Sequence, residues 1–71
     1  MEILVFKTNV EDKKQVRKLF KIFRTIQGIL RWNVDLHDND KVLRVETVSI
    51  SPRSIEQVLQ QGGYFCKELE D

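Results

Sequence analysis

The chain opens on "EILVFK", with four consecutive apolar residues from Ile3 to Phe6. A short unbroken run of this kind predicts a strand with both faces at least partly covered, and hence a central place in a sheet. From Glu11 the period changes. Val16, Leu19, Phe20, Phe23 and Ile26 recur at helical spacing and form one apolar stripe. Asn9 is the expected N-cap of that helix, with Glu11 and Asp12 beside the positive end of its dipole and Gly28 as its C′ residue. "ILRWNVDLHD" then alternates, placing Leu30, Trp32, Val34 and Leu36 on one face and Arg31, Asn33, Asp35 and His37 on the other. "HDND" predicts a turn, and "KVLRVETV" the returning strand of a hairpin with Leu43 and Val45 facing inward. "SPRSIEQVLQQGG" predicts a second helix, capped by Ser51, begun by Pro52 and stopped by Gly62-Gly63, with Ile55, Val58 and Leu59 inward. "YFCKEL" closes the chain as a short strand.

The order strand–helix–strand–strand–helix–strand predicts an α+β, ferredoxin-like sandwich: a four-stranded antiparallel sheet with two helices on one face, in a single domain over residues 1–71. That topology gathers three connections at one end: Thr8 to Asp12, His37 to Asp40, and Gly62 to Tyr64.

Composition narrows the picture. At 71 residues the chain cannot hold both a large core and an elaborate cavity. One cysteine excludes an internal disulfide framework. Hydrophobic residues at 41% and charged residues at 32% are an ordinary folded balance. No apolar run approaches the roughly 20 residues of a membrane span, and "MEILVFK" is too short and too acidic for a signal-peptide core, so the expected location is cytoplasmic. The net charge of +1 hides an asymmetry: residues 1–36 carry eight Lys/Arg against four Asp/Glu, and residues 37–71 carry four against seven.

"IQGILRWNVDLHDNDKVLRV" and "ISPRSIEQVLQQGGYFCKEL", spanning roughly residues 26–69, resemble the heavy-metal-associated (HMA) domain of copper chaperones and metal-pump amino termini. The first is similar to that family's Gly-Val, alternating strand, turn and returning strand; the second is similar to its second helix ending in Gly-Tyr. The resemblance implies a soft-metal carrier whose loop after the first strand bears Met-x-Cys-x-x-Cys. Two thiolates on a loop at a helix N-terminus suit Cu(I), being soft and readily deprotonated there. Here the corresponding stretch is "TNVEDKKQV", which aligns the two thiolate positions with Asp12 and Gln15. No Cys, His or Met lies between Lys7 and Ile29, so the implied activity loses its ligands and no cofactor is expected.

Ligands from elsewhere are few. Cys66 reads as a small packed hydrophobe and His37 as a solvated strand-end residue. One thiol and one imidazole fall short of the three or four ligands of a zinc site. Glu11, Asp12, His37, Asp38, Asn39 and Asp40 offer oxygens for a hard cation at the loop end, but "DLHDNDK" lacks the glycine and distal glutamate of a calcium loop. The competing metal reading therefore rests on Cys66, His37, Asp38 and Asp40, with a site completed between chains.

Enzyme motifs are missing: there is no Cys–His pair at catalytic spacing and no phosphate-cradling glycine loop. Arg31 and Asn33 evoke acyl-phosphate hydrolysis only without its anion loop. RNA recognition on this topology needs strand aromatics that "KVLRVETV" lacks, and no nucleic-acid partner is expected. The first helix offers the remaining surface. Lys14, Arg17, Lys18 and Lys21 share a face, with Lys13 and Arg24 at its edges. It reads either as a solvated face or as an electrostatic docking face for an acidic protein, the latter implied also by the resemblance, since metal chaperones dock through basic surfaces. A monomer or weak homo-oligomer without membrane insertion completes the expectation.

Overall fold

The computed structural model describes residues 1–69. Six elements follow in order: β1 (Glu2–Thr8), α1 (Lys13–Phe23), β2 (Ile29–Val34), β3 (Leu43–Thr47), α2 (Pro52–Gln61) and β4 (Cys66–Glu68). The strands form one antiparallel sheet in the order β2-β3-β1-β4, with both helices packed on a single face. This is the expected ferredoxin-like sandwich. Neither helix is long and apolar enough to cross a membrane.

β1 is central, as its apolar run predicts, but only one of its faces is covered. Leu4, Phe6 and Thr8 are buried beneath the helices, whereas Ile3 and Lys7 are exposed and Val5 is partly covered on the open face. Leu43, Val45 and Thr47 of β3 lie beside them, and Leu19 and Phe23 of α1 with Ile55 and Leu59 of α2 close the core from above.

Three local expectations fail for identifiable reasons. The cap of α1 is Asp12, not Asn9: Asp12 Oδ1 accepts the Gln15 N–H at 2.9 Å, and the helix starts at Lys13. α1 ends at Arg24 in right-handed geometry, four residues before Gly28. Gly28 instead ends the turn before β2 at φ +99°, where its carbonyl accepts the Val48 N–H. Finally, the alternation of β2 breaks at Leu30. A bulge pairs Ile29 with Thr47 and Arg31 with Glu46, leaving Leu30 as the extra residue and turning it outward. Ile29 takes the inward place that Leu30 was expected to fill.

α2 has the ends its sequence predicts. Ser51 Oγ accepts the Ser54 N–H, and Pro52 occupies the first turn. At the other end Gly63 adopts φ +90°, its N–H bonds Gln60 O, and Tyr64 N–H bonds Leu59 O, closing a Schellman motif.

Candidate functional site

The three connections expected at one end do meet, and the contacts are specific. Thr8 is the joint. Its N–H donates to Asp40 O at 3.0 Å, its hydroxyl donates to Lys41 O at 2.6 Å and accepts the Val10 N–H at 3.2 Å. Asn9, displaced from its expected capping role, uses Oδ1 to accept the Phe65 N–H at 2.9 Å. The β1–α1 loop is thereby fastened to the β2–β3 hairpin on one side and to the α2–β4 corner on the other.

Asp12 and Gln15, the positions that the sequence resemblance matches to thiolates, lie at the start of α1. Asp12 Oδ1 caps the Gln15 N–H, and Gln15 Oε1 returns to accept the Glu11 N–H at 2.7 Å. The arrangement is reciprocal and resembles a capping box: Asp12 satisfies an orphaned donor of the first turn, and Gln15 reaches back to the residue before the cap. Both side chains are engaged with backbone.

The hairpin acids are similarly engaged. Asp35 Oδ1 accepts the His37 N–H, Asp38 Oδ1 accepts the Asp40 N–H at 2.7 Å, and Asp40 pairs with Lys7 Nζ at 3.4 Å. Lys41, at φ +47°, spends its ammonium on Leu36 O. The imidazole of His37 is exposed. Cys66 lies on the far side of β1 from this hairpin, paired with Thr8 and 1% exposed. Burial, with the Glu56 carboxylate adding to it, pushes its thiol up to about 12, so it stays protonated. The structure thus separates Cys66 from His37, Asp38 and Asp40. Among the described residues, no group of three or more His, Cys, Asp or Glu side chains is placed to hold a metal ion.

Lys13, Lys14, Arg17, Lys18, Lys21 and Arg24 are all exposed along α1. Phe20, expected in the buried stripe, is instead 58% exposed and lies against Trp32 with ring centroids 4.8 Å apart. Phe23 also meets the indole edge-on at 4.9 Å. Trp32 is therefore half-buried at the sheet margin, between a core ring and a surface ring. On the open sheet face Arg31 pairs with Glu46 at 3.6 Å.

No protein-family model matches the chain, and no curated protein matches it significantly. Among solved structures it is similar to the solution structure of the N-terminal domain of ZntA in the Zn(II)-form. The TM-score is 0.80 at 19% identity, over 96% of this chain and 92% of that one. Likeness at this identity establishes the shared fold.

Proposed function

We propose that this chain is a non-enzymatic, HMA-like binding module whose soft-metal loop has been converted into a helix start, and which engages an acidic protein in the cytoplasm through the basic face of α1. The observation that carries the reading is the reciprocal cap of Asp12 and Gln15 at the two thiolate positions. A carboxylate and an amide are hard donors, and both already serve backbone N–H groups, so they do not suit Cu(I). The fold shared with a domain solved in its Zn(II)-form supports the HMA-like part of this reading. The competing reading, a metal site built on Cys66 or the hairpin acids, is opposed by the burial of Cys66, by the turn bonds of Asp35 and Asp38, and by the pairing of Asp40 with Lys7.

Titration with Cu(I), Zn(II) and Ca(II), followed by calorimetry and amide shifts, tests the first half of the proposal. Silence for all three is expected. Micromolar binding with shifts at Thr8–Asp12 overturns it. For the second half, reversing Lys14, Arg17 and Lys21 to Glu should slow association with an acidic partner while leaving the fold intact. Unchanged association makes the face merely solvated.

A further inference from the structure

The two edges of the sheet are finished differently. Along β4, the outward backbone is covered by α2. Gln60 Nε2 donates to Cys66 O at 3.2 Å, and Glu56 Oε2 accepts the Glu68 N–H at 2.7 Å. β2, the opposite edge, has no such cover. Asp35 N–H bonds Val42 O, and the alternation of antiparallel pairing then turns the N–H and C=O of Val34 and Trp32 away from β3. Among the described residues no side chain bonds these groups. An uncovered edge is a template for another strand.

The same edge is apolar on its helix side. Phe20 and Leu30 are 58% and 59% exposed, with Trp32 between them. They line a cavity of about 270 Å³ together with Ile26 and Arg24. Arg17 and Arg24 stand three residues before and four after Phe20, so they share its side of the helix. Both are exposed and, among the described residues, neither makes an ion pair. On the open face of the sheet, the Arg31 side chain is 81% exposed and only loosely held by Glu46. The nearest acid on the strand's own line, Asp35, is turned into the hairpin.

We propose that the β2 edge receives an extended acidic segment of a partner protein as a fifth strand. Its backbone bonds Trp32 and Val34, and its apolar side chains lie on Phe20, Trp32 and Leu30. Its carboxylates alternate onto the open face, beside the exposed Arg31. A second copy of this chain is the poorer occupant. Pairing β2 with itself continues the sheet and brings α1 beside its own twin, so that Lys13, Arg17 and Arg24 face the same cations. The inference rests on the reading of the chain as an interaction module and adds the form of the partner.

The probe is a short acetylated and amidated peptide alternating glutamate with valine, with a lysine-for-glutamate version as control. Titrated into the labelled protein, the glutamate peptide should give saturable amide shifts at Arg31–Val34 and Phe20. It should also slow hydrogen exchange at the Trp32 and Val34 amides. Arg31→Glu should weaken this binding about tenfold, and Leu30→Lys should weaken it further. Equal binding of the lysine peptide overturns the proposal, as do the absence of binding at millimolar peptide and a peptide-free dimer protecting the same amides. Shifts confined to Lys14, Lys18 and Lys21, without protection at β2, overturn the edge inference while leaving the docking face of α1 standing. Metal-induced shifts at Thr8–Asp12 would instead unseat the reading beneath it.

Discussion

The Glu56 carboxylate of α2 accepts the backbone N–H of Glu68 at 2.7 Å, and one helical turn later Gln60 donates to the carbonyl of Cys66. A strand of three residues thus has hydrogen-bonding partners on both sides, β1 on one and a helix on the other. Removing either side chain leaves a partly buried backbone group unmet. Glu56→Ala and Gln60→Ala should each lower stability by about 1–2 kcal/mol, read as a reduced urea midpoint at unchanged slope. An unaltered midpoint would mean that water replaces these bonds without loss.

Cys66 supplies a pH-dependent term. Its thiol is raised from 9.0 to about 12, chiefly by burial and further by Glu56. The folded chain therefore keeps a proton that the unfolded chain releases above 9.0. This contribution is intact below that pH and declines as pH climbs toward about 12. The stability of the native protein should fall more steeply over this window than that of Cys66→Ala, with urea midpoints compared at each pH. Glu56→Gln removes the charge and should lower the thiol's value part of the way.

Two glycines separate strain from collision. Gly63 sits at φ +90°, and a methyl added there would meet nothing within 4 Å, so Gly63→Ala should cost about 1 kcal/mol from backbone strain alone. Gly28 sits at φ +99°, and a Cβ there would lie 2.8 Å from the Val48 carbonyl oxygen. Gly28→Ala should cost about 3 kcal/mol, because the clash is with backbone that pairs β2 to β3. Thermal unfolding of the two variants side by side decides the ranking.

Placing thiols at the helix start tests whether this scaffold can hold a soft metal there. The double substitution Asp12→Cys with Gln15→Cys removes the reciprocal cap, at a cost of about 1 kcal/mol, and places two thiols in the field of the α1 N-terminus. It should acquire Cu(I) affinity in a competition titration in which the native protein stays silent. A silent double variant would show that more than the ligands separates this loop from a metal site.

Much of the fold was legible because hydrophobic period and end signals agreed. Ser51-Pro52 and Gly62-Gly63 bracket α2 where the sequence puts them, and the run Ile3–Phe6 does lie in the centre of the sheet. The misses are cases in which two residues compete for one role. Asn9 and Asp12 are both good caps, and the distinguishing feature is Gln15, three residues after Asp12, whose side chain reaches back to the N–H of Glu11 beside the cap. Leu30 follows a perfect alternation, and nothing in the pattern marks a bulge whose cause is the pairing register with β3. Phe20 fits the apolar stripe of α1, but the sheet ends at β2 and leaves that flank uncovered. At the candidate site, the topology alone brought the three connections together. The bonds of Glu56 and Gln60 were invisible, since polar residues on α2 read equally well as a solvent face.

Thr8 has a consequence for the order in which this molecule is made. Its hydroxyl bonds a residue 33 positions away, and its neighbour Asn9 bonds one 56 positions away. Each contact closes a long stretch of chain, whose entropy is lost before the contact returns anything. The loop end is therefore expected to assemble late, after the hairpin and the final strand have arrived. The segment that joins the first strand to the first helix is thus the seam at which distant parts of the chain are closed together.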